Sequence, residues 1–258
     1  MWGQVHSQEL QNMLHKLSDK FPFNLGKKIK LAHTTDIHSH LIPDIDDGVK
    51  SLESSVEIIK QLQALGFKKI ITTPHIMSHR FPNTQMIINR GYSLLKGELL
   101  HQGIAIDIEA AAEYYYDEHF LQLIEKRELM TFGANYILFE LSYTVKPFIL
   151  EQTVAKLLKV GYKPILAHPE RYTYYHTEDH YRRLKEMGLY FQINIISTQN
   201  FYGKKVKKAV EKIIDLGLVD FIGSDIHSQK YLDTFSSSLN SKIYSKIMQK
   251  NSIKNDYI

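Results

Sequence analysis

Two short motifs carry most of the chemistry available to this chain: Asp36-Ile37-His38-Ser39-His40 near its start and Ser224-Asp225-Ile226-His227 near its end. In an extended strand, residues two apart point to the same face. Asp36, His38 and His40 therefore share one side, and Asp225 with His227 repeats the arrangement. Neutral imidazole combined with carboxylate is the donor set for zinc, manganese or iron. Further histidines and acids close other apolar runs, in Thr73-Pro74-His75, Ala112-Glu113, Phe139-Glu140 and Ala167-His168-Pro169-Glu170-Arg171, and the segment after His40 adds Asp44, Asp46 and Asp47. A single histidine at a strand end is most often structural. His38, His40, His75, His168 and His227 grouped with carboxylates on one rim are not, because burying so many ionisable groups together without a cation costs many kcal/mol.

The elements that must bring these residues together alternate along the chain. Apolar runs at 34–37, 69–73, 104–110, 134–140, 163–167, 189–194 and 220–223 read as buried strands. Helical patterns fill the intervals at 52–65, 84–101, 118–126, 147–160, 178–187 and 204–215, and a last helix is expected over 232–249. Gly66, Gly161, Gly188 and Gly217 follow helix ends where a left-handed residue is wanted. Ser51 suits the N-cap of the first of these helices. This alternation implies a parallel sheet with helical crossovers. Seven repeats fit a distorted (β/α)7 barrel better than an open sheet, although a doubly wound sheet has the same periodicity, and in a barrel the strand ends carry the function. A loose apolar stripe at 3–19 adds an N-terminal helix. The expected organisation is an N-terminal helix and lead-in over 1–30, the barrel over 31–250 and a tail over 251–258.

Composition narrows the class. The chain of 258 residues is 43% hydrophobic and 23% charged, ordinary for a globular protein. It has no cysteine, which excludes disulfides, thiolate nucleophiles and iron–sulfur clusters. The absence of a long apolar run or a leader-like N-terminus points to a cytoplasmic protein without a membrane span. The net charge of +4 comes from late lysines, Lys204 to Lys208 and Lys242 to Lys254, read as a solvated helix face and a ragged tail.

The segments DIHSHLIPDIDDG, TTPH, AAEYY, FELS, AHPERY and GSDIH, in this order across about residues 34–230, resemble the polymerase-and-histidinol-phosphatase (PHP) superfamily. Within it they are most similar to the bacterial manganese-dependent protein-tyrosine phosphatases of capsule and exopolysaccharide operons. The resemblance implies a TIM-like PHP barrel with three divalent ions, manganese first and iron or zinc as alternatives. By motif, the implied ligands are His38, His40, Asp47, His75, Glu113, Glu140, His168, Asp225 and His227. Arg171 matches the family's arginine after the fifth-strand histidine. The second arginine that relatives often carry beyond the final histidine is absent from Ser228-Gln229-Lys230-Tyr231, which leaves Lys230 as a substitute. Four ionised carboxylates balance two divalent ions, so a third gives the centre the positive charge that attracts a phosphate dianion.

The implied reaction is in-line attack on phosphorus by a metal-bridging hydroxide, with Arg171 on the phosphoryl oxygens. Asp36 is expected behind a ligand histidine. Asp46, His79 and Lys230 are the candidates for a general acid, and Tyr114, Tyr115, Tyr116, Tyr172, Tyr174 and Tyr175 for an aromatic rim. His33, His101, His119, His176 and His180 are expected at the surface. The expected substrate is a phosphotyrosine-bearing bacterial tyrosine kinase, which would bring the enzyme near the membrane only peripherally. The alternatives are a small-molecule phosphatase acting on a substrate such as histidinol phosphate, a nucleic-acid-associated module and a non-catalytic one.

Overall fold

From the first strand to the helix at 204–215, strands and helices form close to where the periodicity puts them. The computed structural model describes residues 31–258, and the helix expected over 3–19 lies outside the described residues. The strands are β1 (Thr35–Asp36), β2 (Lys69–Thr72), β3 (His75–Ile76), β4 (Asp107–Ala110), β5 (Glu113–Tyr115), β6 (Tyr136–Glu140), β7 (Lys163–Ala167), β8 (Tyr190–Asn194) and β9 (Phe221–Gly223). Helices α1 (Leu52–Leu65), α2 (Gln85–His101), α3 (Glu118–Lys126), α4 (Leu150–Lys159), α5 (Glu178–Glu186) and α6 (Lys204–Asp215) fall between them. Ser51 caps α1 by accepting from the Ser54 N–H, and Gly66 ends it at φ 107°, a left-handed conformation that costs glycine no Cβ clash. Gly161, Gly188 and Gly217 also have positive φ.

The structure departs from the expected elements in two ways. The last helix is two, α7 (Gln229–Leu239) and α8 (Lys242–Lys250), because Ser241 adopts an extended conformation and caps a new helix by accepting from Tyr244. Two strands are each split by a two-residue link, Thr73-Pro74 between β2 and β3 and Ala111-Ala112 between β4 and β5. Among the described residues the pairings between these strands are all parallel, in the orders β1-β2-β4 and β3-β5-β6-β7-β8-β9.

Backbone hydrogen bonds join the last strand to the first beyond their ends. His40 donates to the Ile226 carbonyl at 2.9 Å and Asp225 to the His38 carbonyl at 2.8 Å, beside a parallel bridge between Ser39 and Ile226. Inside this circuit Ile37, Ile71, Ala111, Leu138, Ile165, Ala167 and Phe221 meet in one buried cluster. It forms an apolar floor beneath the polar strand ends.

Below the bridge, the gap between β1 and β9 is closed by a side chain. Asn255 is fully buried although it lies in the segment read as a tail. Its Nδ2 donates to the Thr35 and Ile222 carbonyls at 2.9 and 2.7 Å, and its Oδ1 accepts from the Ile222 N–H at 3.0 Å. Each buried backbone group left unpaired costs about 1–3 kcal/mol. Asn255→Ala is expected to destabilise the protein by about 2–4 kcal/mol, read as a shift in the urea midpoint at constant slope. A shift worth under about 0.5 kcal/mol, the usual surface value, would contradict this role.

Candidate metal centre

At the C-terminal ends of the strands, the ligand-bearing atoms of all nine residues implied by the sequence motifs converge. They fall into four overlapping groups, His40–Asp47–His75–His227, His38–Glu113–His168, His38–His40–Asp225 and His75–Glu113–Glu140, with the atoms of each group within 4.8 Å of one another. Glu113 is the hub. Its Oε2 lies 3.3 Å from His38 Nε2, 3.4 Å from His40 Nε2 and 3.1 Å from His75 Nδ1, and its Oε1 lies 3.0 Å from His168 Nε2. Asp225 Oδ1 is 3.3 and 3.4 Å from the same His38 and His40 nitrogens. Asp47 Oδ1 is 3.5 Å from Nε2 of both His75 and His227.

These spacings suit divalent cations. Ligands about 2.0–2.2 Å from a shared ion stand about 3.0–3.5 Å from each other. Glu113 Oε2 and His75 Nδ1 are also buried without a hydrogen-bond partner among the described residues, despite being neighbours. Buried polar atoms are normally satisfied, and a cation between them satisfies both.

The charges point the same way. Burial depresses His38, but Glu113 and Asp225 outweigh it and carry the imidazole up to about 9. His40 is likewise raised, with Asp46 outweighing burial. At His75 and His168 burial prevails and lowers both to about 4. Burial and the neighbouring Glu113 push Glu140 well above the usual carboxylate range, whereas the surrounding imidazoles hold Glu113 and Asp225 well below it against burial.

A second set of side chains orients the candidate ligands. His40 Nδ1 donates to Asp46 Oδ2 at 2.7 Å, and His227 Nδ1 to the Asp225 carbonyl at 2.8 Å, so each Nε2 faces the cluster. His38 Nδ1 donates to Gln192 Oε1 at 2.7 Å; Gln192 passes a bond to Asn194, and Asn194 one to Asp225 Oδ2 at 2.6 Å. This chain across β8 ties two ligands together. Asp46 also accepts from the His75 and Gly48 N–H groups, and a Cβ at Gly48 would overlap the His40 carbonyl. Only glycine allows the turn after Asp47 to fold that closely. His168 and Asp225 have φ of 33° and 52°, a conformation that costs non-glycine residues about 1–3 kcal/mol each. Their side chains reach the cluster from these strained positions.

Arg171 lines the cavity over the cluster, a space of about 340 Å³. Its guanidinium sits 4.3 Å from the ring centres of both Tyr143 and Tyr202, and 3.6 Å from Asp225 Oδ2.

Several other candidates are placed differently from expectation. Asp36 bonds the Ser224 backbone and hydroxyl rather than a histidine ring, fastening β1 to β9. Asp46 is buried and held ionised by His40 against the effect of burial, so it has no proton to donate as a general acid. His79 is exposed against Tyr115, and Lys230 lies over the Phe201 ring; neither lines the cavity. Tyr114 and Tyr172 are buried and form no rim. Tyr114 accepts from the Met130 N–H, and Tyr172 bonds Ala167 and Leu141 behind His168. The aromatic residues at the cavity are Phe81, Tyr143 and Tyr231. His33 is buried against Tyr244 rather than at the surface. Gln192, Tyr143, Tyr202 and Arg80 carried no assigned role. For Gln192 a signal existed, since it alternates with Asn194 on one face as His38 does with His40.

With Glu113 and Asp225 carrying the His38 imidazole up to about 9, a metal ion binding there is expected to displace a proton at neutral pH. Its raised value stabilises the metal-free fold fully below about 6.5 and loses that contribution as pH rises through about 9. Calorimetric titration with Zn²⁺ in buffers of different ionisation enthalpy is expected to show proton release at pH 7 and tighter binding as pH rises toward 9. No proton release at pH 7 would refute the protonation pattern.

The comparisons with known proteins agree with this geometry. Residues 34–256 match the model of a family described as capsular polysaccharide synthesis, CpsB/CapC. The chain is 31% identical over 202 residues to the tyrosine-protein phosphatase CpsB of Streptococcus agalactiae, covering 75% of this chain and 82% of that protein. It is 28% identical over 204 residues to the tyrosine-protein phosphatase YwqE of Bacillus subtilis, covering 76% and 78%. A crystal structure from work on YwqE of B. subtilis and CpsB of Streptococcus pneumoniae, described as metal-dependent tyrosine phosphatases, superposes with a TM-score of 0.73 at 26% identity over 84% of this chain and 86% of that one. An amidohydrolase from Mycoplasma synoviae shares the fold, with a TM-score of 0.55 at 11% identity over 86% of this chain and 82% of that one.

Proposed function

The chain belongs to the CpsB/CapC family of capsular polysaccharide synthesis and is a metal-dependent tyrosine phosphatase, and we propose that it hydrolyses phosphotyrosine on a bacterial tyrosine kinase in the cytoplasm. The observation that carries this reading is the convergence of nine side chains able to hold metal ions beneath a cavity that also holds a fixed guanidinium. We assign the nine as ligands to three divalent ions, with manganese the first choice. When bound, the ions supply an acidified water as nucleophile and neutralise charge on the phosphoryl oxygens.

The chain's own residues define the rest. Arg171 is preorganised between Tyr143 and Tyr202, so its planar fork needs no reorganisation to meet phosphoryl oxygens. Tyr143 also donates to Glu140 at 2.9 Å, which couples the position of the arginine to that of a ligand. Phe81, Tyr143 and Tyr231 give the cavity aromatic walls that suit a phenyl ring. With no cysteine, no phosphocysteine forms. A phenolate leaving group, of pKa about 10, needs less protonation than an alkoxide. That agrees with Asp46 being committed to His40.

Arg171→Ala is expected to retain its metal and lose roughly 10²–10³-fold in kcat/KM, the cost of one preorganised electrostatic donor. Arg171→Lys should recover part of that loss. Near wild-type turnover in Arg171→Ala would remove the residue from the reaction. Elemental analysis should find about three divalent ions per chain, a chelator should abolish activity, and thiol alkylation should leave it unchanged. On matched peptides, phosphotyrosine should exceed phosphoserine, and both should be compared with histidinol phosphate. If histidinol phosphate is the better substrate, a small-molecule phosphatase replaces the proposed function with the metal centre unchanged.

A further inference from the structure

The turn after β3 presents a second cation to the cavity. Met77 and Phe81 pair through two backbone hydrogen bonds of 2.9 and 2.8 Å, and Arg80 donates its N–H to Met77 across the turn. Ser78 is anchored by its N–H and hydroxyl to Asp117 Oδ2, while Asn83 Nδ2 donates to the carbonyls of Ile45 and His75. The Phe81 ring stacks on His75 at 5.5 Å with the planes 9° apart, and the Arg80 guanidinium lies 4.8 Å from the Phe81 ring centre. The backbone under Arg80 is therefore held to the metal centre at several points.

Its side chain is much less confined. Arg80 is 61% exposed and, among the described residues, meets one acidic partner, Asp47 Oδ2, at 3.6 Å. Arg171, in contrast, is 22% exposed and clasped between two rings. Both arginines line the same cavity, on the loops after β3 and β7. A locked guanidinium acts where charge develops in the transition state. An exposed one on a fixed stem draws an anion in and holds it equally in ground and transition states.

We propose that Arg80 is a substrate-binding residue that captures the phosphate dianion at the cavity mouth, leaving Asp47 for the substrate as it does so. This rests on the phosphatase reading. Arg80 supplies the cation on the outer side of the centre that Lys230, turned onto Phe201, does not.

The test is calorimetric binding of inorganic phosphate to manganese-loaded wild type, Arg80→Ala and Arg80→Lys, with peptide kinetics and metal content measured in parallel. Loss of one charge-assisted hydrogen bond predicts phosphate affinity weakened roughly tenfold in Arg80→Ala. KM should rise by a similar factor while kcat changes less than about threefold, the pattern of uniform binding. Metal content should be unchanged, and Arg80→Lys should restore part of the affinity because the charge is kept. Phosphate affinity and KM within twofold of wild type in Arg80→Ala would overturn the proposal. So would loss of metal from Arg80→Ala with phosphate affinity restored by excess metal, which would make Arg80 a support for Asp47 alone. Should wild type fail on phosphotyrosine peptides, the phosphatase reading falls, and the phosphate titration still decides the role of Arg80.

Discussion

One carboxylate oxygen organises this protein. Glu113 Oε2 is buried, and three imidazole nitrogens approach it within 3.4 Å without a hydrogen bond to it. Such a group is expensive unless a cation sits among the donors. Glu140 and Asp225 crowd the same space, and their opposite protonation tendencies express the same strain. The cluster is thus an arrangement that ordinary protein hydrogen bonding leaves incomplete and that suits divalent ions.

Much of the surrounding fold serves that arrangement. The left-handed backbone at His168 and Asp225 turns two side chains inward at strand ends. The Gln192–Asn194 chain and the Asp46 carboxylate fix ring orientations from behind. Asp36, which has the right chemistry to be a ligand, instead holds Ser224 at 2.6 Å so that the first and last strands stay in register. That register matters because His38 and His40 follow the first strand and Asp225 and His227 follow the last. A slip between them would divide the ligand set.

The two arginines over the cavity differ in how they are held. Arg171 is fixed by aromatic faces and bonded through Tyr143 to the ligand shell, so it shares the geometry of the centre. The aromatic walls do double service, since Tyr143 both clamps the arginine and borders the space for the substrate. Positive charge and apolar faces at one mouth suit an aryl phosphate better than an aliphatic one.

What the sequence by itself determined is what is written locally. Alternating apolar runs and left-handed glycines marked the strands and helices because burial and backbone freedom act over a few residues. The nine candidate ligand positions were legible because most follow apolar runs, whose ends lie on one rim in a parallel α/β fold, and because their motifs, Asp47 in the loop included, resemble a known metal-binding family. The tertiary structure alone decided which neighbours of those residues face the cavity. Tyr114 and Tyr172 have the same residue type as Tyr143, yet two are buried and one borders the cavity. Arg80 depends on a turn closed by Met77 and Phe81 and fastened to Asp117, and Asn255 on a gap between strands far apart in the chain. Such placements arise when distant segments close on one another, and no periodicity along the chain records them.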